Sequence, residues 1–307
     1  MKRLPVGIVY EHPEWFRPLF AGLERRGVPY EPIHAAQHVF DPSAREPRNA
    51  LVVNRMSPSA WTRGHVRAIF HTRHYLAYLE EIGVPVLNGV RAYEFELSKA
   101  RQVALFGRLG VPHPRTRVIA DPAAATAAAA DLEFPVLVKP NIGGSGAGIQ
   151  SFATAEELAA AAHGLDLGLD GTALVQEQLP AAGGSIVRVE ILDGEFLYAI
   201  RIQLLPGSFN LCPADYCDLV GLPDPIEAYT PPAEVVQDAK RIVAAAGMDV
   251  AGVEYLVNER DGRPTFYDLN ALSNFVADAP NVIGFDPFVN LVDLIAERAG
   301  SAEPVAA

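Results

Sequence analysis

The chain has 307 residues, half of them hydrophobic, and a formal net charge of −12. That length accommodates two or three subdomains with sizeable cores, and the composition excludes a disordered tail. The acidic balance argues against nucleic acid, whose binding is driven by basic surfaces, and disfavours a strongly acidic protein partner.

No apolar run approaches the roughly 20 residues that span a bilayer. Met1-Lys2-Arg3 leads straight into an apolar, strand-like segment without the h-region of a signal peptide. A cytoplasmic protein with no membrane partner is expected, with room for a homo-oligomer. Cys212 and Cys217, four residues apart, match no zinc spacing and are expected as free thiols.

In chain order, the first ninety residues alternate short strands and helices: strands at 6–10, 30–33, 50–54 and 84–87, helices at 15–26 and 63–82. This is an α/β unit with a parallel sheet. Ligands of such sheets bind beyond the carboxyl ends of the strands, which marks Glu11 and His12, then Arg55, Ser57 and Ser59, as lining a substrate crevice. A helix over 92–109 stops at Gly110, with Pro112 and Pro114 beyond it. A strand at 116–119, an alanine-rich helix at 122–130, strands at 134–138 and 149–152 and a helix at 154–162, opened by a Thr154/Glu157 capping box, form a small α+β unit. From residue 173 the pattern turns to β, with strands at 173–176, 185–192 and 195–203, the last two joined at Asp193-Gly194. An amphipathic helix at 231–247 precedes strands at 252–258 and 265–270, and the chain closes with a helix at 286–298 and a frayed tail. The boundaries expected are an N-terminal α/β domain over 1–92, a central lid subdomain over 93–175, a C-terminal subdomain over 176–300 and a flexible tail over 301–307.

The strand at 134–138 delivers Lys139 into a loop with glycines at 143, 144, 146 and 148. A cation beside unshielded backbone N–H groups suits a polyphosphate, and the glycines make the loop mobile. The spacing matches neither a P-loop nor a dinucleotide fingerprint; the bland alternative is a surface hairpin that binds nothing.

Asp268 and Asn270, two apart in a strand, leave the same face of a sheet. Glu254 joins them only in one hairpin register, because a one-residue slip reverses every side chain. A two-residue turn at Asp261-Gly262 turns Glu254 away, whereas an odd-length loop or a bulge sets it opposite Asp268; the latter is expected. Two carboxylates and an amide oxygen are hard ligands that suit Mg²⁺ (or Mn²⁺) shared with phosphates.

These blocks resemble the ATP-grasp superfamily and, within it, the carboxylate–amine ligases related to ribosomal protein S6 glutamate ligase. The resemblance covers residues 50–298 and rests on the order of Asn54-Arg55-Met56-Ser57-Pro58-Ser59, Leu97-Ser98-Lys99-Ala100-Arg101, Phe134-Pro135-Val136-Leu137-Val138-Lys139, Leu174-Val175-Gln176-Glu177-Gln178-Leu179, Ala251-Gly252-Val253-Glu254 and Tyr267-Asp268-Leu269-Asn270-Ala271. It implies an ATP-grasp fold, α/β and α+β, behind an N-terminal Rossmann-like α/β domain. It also implies Lys99, Lys139 and the loop at Gly143, Gly144, Ser145 and Gly146 on ATP phosphates, with Gln176, Glu177, Gln178 and Leu179 at the adenine. Arg188 and Arg201 would face the γ-phosphate and an acyl phosphate, Glu254, Asp268 and Asn270 would hold the metal, and His12, Arg55 and Asn210 are substrate candidates. Three departures stand out. Ile186 replaces an acid usual for the ribose, the two metal carboxylates exchange Asp for Glu, and Asn210-Leu211 is not followed by the family's basic residues. The activity implied is ATP-dependent joining of a small, amino-acid-like carboxylate to an amine through an acyl phosphate. A small-molecule kinase, a ligase modifying a protein or peptide terminus and an ATP-binding regulatory protein are the alternatives.

Overall fold

The computed structural model describes residues 4–12, 14–204 and 226–301. Cys212, Cys217, Asn210 and the tail after residue 301 lie outside the described residues.

Three sheets follow one another along the chain. The first is parallel, with β1 (Val6–Tyr10), α1 (Arg17–Arg26), β2 (Tyr30–His34), β3 (Leu51–Asn54), α2 (Val66–Glu81) and β4 (Val86–Leu87) in strand order β2-β1-β3-β4. β3 is buried throughout, as a parallel strand covered on both faces must be. Two helices follow, α3 (Val90–Glu96) and α4 (Lys99–Leu109).

The second sheet is antiparallel, with β5 (Thr116–Ile119), α5 (Ala125–Ala128), β6 (Val136–Pro140), β7 (Gln150–Phe152), α6 (Ala155–Ala161) and β8 (Ala173–Glu177) in order β5-β8-β6-β7. The third, also antiparallel, holds β9 (Ser185–Leu192), β10 (Glu195–Gln203), β11 (Ile226–Ala228), β12 (Val250–Val257) and β13 (Pro264–Asn270) in order β11-β10-β9-β12-β13. α7 (Ala233–Ala246) crosses between β11 and β12, and α8 (Ala279–Ile283) and α9 (Pro287–Ser301) close the chain.

Alternation along the third sheet creates two cores. Val187, Val189, Val253 and Phe266 pack on one face under α4 and α7, which offers Val235, Ala239, Ile242, Val243 and Ala246. On the other face Ile186, Ile200 and Ile202 join Ile8, Leu19, Leu51, Leu291 and Ile295, so the first sheet, α1, α9 and the third sheet share one core. Each fully buried Val, Leu, Ile or Phe among them contributes about 1.5–3 kcal/mol of transfer free energy. This shared core fixes the strand ends of the first sheet against the third.

The expected single helix over 92–109 is two. Leu97 ends α3, Ser98 turns extended (φ −144°, ψ 100°), and its hydroxyl accepts from Arg101 N to open α4. The alanine-rich 122–130 is a 3-10 turn followed by a single α-helical turn; of this stretch Ala125 and Ala129 are buried in the core and Ala128 packs against it. β11 and α8, three and five residues long, are too short to leave a periodic signal.

Candidate active site

Lys139, at the carboxyl-terminal end of β6, is 5% exposed. Burial, and then Lys99, push its ammonium down to about 7, against the pull of Asp268 and Glu254. The loop beyond uses left-handed backbone at Ser145, Gly146 and Gly148. It also lies against the 3-10 turn Pro58–Arg63 of the N-terminal unit: a Cβ on Gly144 would stand 2.6 Å from Ser59 Cβ and 2.7 Å from its Cα. Only glycine permits that approach. Asn141 ties the loop's start to α4, its Oδ1 accepting from Ala100 N (3.0 Å) and Ser98 Oγ (3.1 Å).

Lys99 is the first residue of α4, and the break at Ser98 aims it across the cleft to donate to Asp268 Oδ1. Burial opposes its charge, yet Asp268, with Glu254 and Glu96, holds the ammonium above its usual value.

Asp268 belongs to the acidic ribbon of β12 and β13. Val257 pairs with Pro264, Leu256 with Thr265 and Tyr255 with Phe266; then Glu254 pairs with Asp268 and Gly252 with Asn270. The slip is a bulge at Tyr267, and it turns Glu254 to the side of Asp268 and Asn270. This is the bulge alternative, not the three-residue loop. Asn270 Nδ2 donates to Asp268 Oδ2 at 3.3 Å. Burial raises Glu254; for Asp268 burial is outweighed by Lys99 and Lys139, which hold it below the usual carboxylate range.

Arg188 on β9 completes the charged floor. Its Nε donates to Glu190 Oε1 (2.6 Å), Nη1 to Glu254 Oε1 (2.8 Å) and Nη2 to Ser273 Oγ (3.2 Å). The guanidinium lies flat over β12 at Gly252, where a Cβ would come within 2.5 Å of Cζ and 2.6 Å of Nε.

These groups line one cavity of about 530 Å³. Its lining brings together the expected hinge residues Gln176, Glu177, Gln178 and Leu179, the charged and amide groups of Lys99, Lys139, Arg188, Glu254, Asp268 and Asn270, and Trp15, Ser57, Ser59, Asn274 and Phe275. Gly143, Gly144, Ser145 and Gly146 form part of the wall.

Other expected site residues are placed elsewhere. Arg201 is corrected: it pairs with Glu227 (3.0 Å) and stacks on Tyr229 on the α7 face of the sheet. The Asp193-Gly194 turn alone would align Arg201 with Ile186, on the face of Arg188. A bulge at Leu197 shifts the register by one, so Arg201 stands opposite Val187 and Ile202 opposite Ile186. Arg55 is corrected as well. It is 1% exposed, donates to the carbonyl of Ser273 behind the cavity and is no part of its wall. His12 serves its own loop, accepting from Glu14 N (3.2 Å) and Trp15 N (3.3 Å) and stacking on Trp15.

Sequence reading missed the partners. Glu96 accepts from the backbone of Ala271 and Leu272 where β13 ends, and burial lifts its carboxyl to about 7. Gln102 clamps Leu269 through both its backbone groups. Glu11, one of the expected crevice residues, is held by two partners not foreseen, Arg63 and His65 Nδ1 (2.5 Å). None carries a motif; Gln102, three residues past Lys99 on α4, was the most accessible to reasoning, by helical spacing.

The model of the RimK-like ATP-grasp domain matches residues 97–276, more than half of the chain and all of this floor. The chain belongs to the RimK-like ATP-grasp family. A D-alanine–D-alanine ligase of Haemophilus influenzae is 34% identical over 132 residues, 40% of this chain and 42% of that one. Its counterpart in Laribacter hongkongensis is 29% identical over 202 residues, 62% of each chain. The chain thus matches well under half the length of the first of these curated ligases. The ATP-grasp fold extends further than the sequence likeness. The ATP-grasp ligase PsnB, complexed with a minimal precursor, superimposes with a TM-score of 0.69 at 21% identity over 96% of this chain and 99% of its own. The D-cycloserine synthetase DcsG does so with 0.69 at 19% identity, again over 96% and 99%. Among the described residues, no helix is long and apolar enough to cross a membrane.

Proposed function

We propose that this chain is an ATP-dependent ligase that joins a small, amino-acid-like carboxylate to an amine through an acyl phosphate, releasing ADP and phosphate. The observation that carries this reading is the meeting, across one cavity, of a glycine loop with Lys139, a helix start with Lys99 and an acidic ribbon with Glu254, Asp268 and Asn270. The names of the D-alanine–D-alanine ligases favour small amino acids as substrates. PsnB has been captured with a precursor peptide, so a peptide acceptor is the second reading.

A carboxylate oxygen is a poor leaving group, and phosphorylation makes it a good one. The transferring phosphoryl group is limited by position and by charge on its oxygens. Lys99 and Lys139 would hold the phosphates from two sides, and Arg188, locked by Glu190 and Ser273, would present its guanidinium where the acyl phosphate forms. The proposed Mg²⁺ site fits its donors: two carboxylates and an amide oxygen on neighbouring strands are hard oxygen ligands, with phosphate oxygens left to complete the shell. Among the described residues no cluster of three His, Cys, Asp or Glu offers an all-protein cage. The ion supplies charge neutralisation and a template for the polyphosphate. Gly144 against Ser59 gives the loop a seat from which it would exclude water from the acyl phosphate.

The test is a screen of carboxylate and amine pairs, peptides included, for phosphate release that requires both, with Lys139→Ala and Asp268→Ala as controls. Release of ADP with a phosphorylated product and no dependence on amine would mark a kinase. Equal turnover by both variants would refute the site.

A further inference from the structure

The wall between the hinge and the phosphate cations is aliphatic. On β9 the residue two before Arg188, and so on the same face about 6–7 Å away, is Ile186. It is 2% exposed, and Leu179, Leu204 and Leu256 flank it in the cavity wall. A nucleotide that sets its base at the hinge and its phosphates at Lys139 and Arg188 brings its sugar to this stretch.

Each acid that lines the cavity already has a partner of its own. Glu177 accepts from Glu133 N (2.9 Å) and Arg115 (3.4 Å). Glu96 accepts from Ala271 and Leu272, Glu254 from Arg188, and Asp268 from Lys99 and Asn270. The amide oxygen of Gln178 is taken by Ser151 Oγ (2.5 Å). Among the described residues, Ile186, Leu179, Leu204 and Leu256 make this stretch of the wall apolar.

We propose that this site does not read the sugar hydroxyls of its nucleotide, that Ile186 sets this, and that 2′-deoxyadenosine nucleotides are accepted about as well as adenosine nucleotides. The inference rests on the nucleotide reading given above. A site built to hydrogen-bond a hydroxyl rejects the analogue lacking it by about 10⁴–10⁵-fold, because its polar groups are left unpaired, whereas an apolar wall leaves nothing unpaired. The deoxy penalty here should stay within about threefold.

Calorimetric titration of the full chain with ADP, 2′-deoxy-ADP and 3′-deoxy-ADP, each with Mg²⁺, tests this without turnover. Dissociation constants within about threefold of one another are expected, and Ile186→Glu should then favour ADP over both analogues by at least about tenfold. If Ile186→Glu fails to fold, Ile186→Gln, which keeps a hydrogen-bonding amide at lower cost, takes its place. A preference of the unaltered protein for ADP above about tenfold overturns the proposal, as does a folded variant with unchanged selectivity. Failure of all three nucleotides to bind removes the nucleotide reading and this inference with it; loss of the deoxy analogues alone removes only the inference.

Discussion

Gly252→Ala is a one-methyl perturbation aimed at Arg188. The added Cβ would meet the guanidinium at 2.5 Å (Cζ) and 2.6 Å (Nε), so the group must retreat by about 1 Å to reach ordinary contact. Such a shift would stretch the bonds to Glu190 (2.6 Å) and Glu254 (2.8 Å) past hydrogen-bonding range. Buried charge-assisted bonds are worth about 1.5–3 kcal/mol each, so stability should fall by about 2–4 kcal/mol after partial relaxation. A misplacement of about 1 Å at a reacting centre costs about 10²-fold in rate. Thermal unfolding and single-turnover phosphate release report the two effects, and a cycle with Arg188→Met isolates them. Once the guanidinium is gone, Gly252→Ala should have little further effect on rate. Single-turnover rates within threefold of the parent, or strictly additive losses in the cycle, would refute the placement of Arg188.

Gly144→Val should raise KM for ATP and increase amine-independent phosphate release, because Ser59 blocks the loop's seat; steady-state assays with and without amine check this. Arg201→Ala should leave phosphoryl transfer within about threefold, since its side chain is on the α7 face; a loss of about 10³-fold, the scale of a transition-state arginine, would contradict the register. Lys139, near 7 when the cavity holds no phosphate, should take up close to one proton when ADP binds at pH 8, seen as a dependence of the calorimetric heat on buffer ionisation and absent in Lys139→Met. Its folded value lies below the ordinary 10.5, so the unfolded chain binds more protons between the two; this group's contribution to stability rises with pH across that window, and its affinity for phosphate falls. Asp268→Asn should weaken Mg²⁺·ADP binding while leaving Tm within a few degrees, because Lys99 keeps a hydrogen-bonding partner.

What the sequence disclosed follows from how local each signal is. Lys139 with its glycines and the Asp268/Asn270 pair are short patterns whose chemistry is written in adjacent residues. Glu254 was legible as a choice between two registers, because strand alternation leaves only two. Arg201 went wrong for the same reason: a bulge at Leu197 carries no glycine or proline to announce it. Glu96 and Ser273 act across more than eighty residues of chain, and no spacing rule reaches them; Glu190, two residues past Arg188 on the same strand face, was within reach of strand alternation. The helix break at Ser98 had its sign in a serine ahead of Lys99, masked by apolar periodicity on both sides.

The two bulges work as a selector for the cavity. Above Leu197 and above Tyr267 the hairpins follow their turns; below, each is offset by one residue. One offset admits a carboxylate to the floor and the other exiles a guanidinium, so the local charge depends on two inserted residues as much as on which acids and bases the chain encodes. Excising Leu197 would rotate Ile202 out and Arg201 in, adding a cation beside Ile186 without any change of side-chain chemistry.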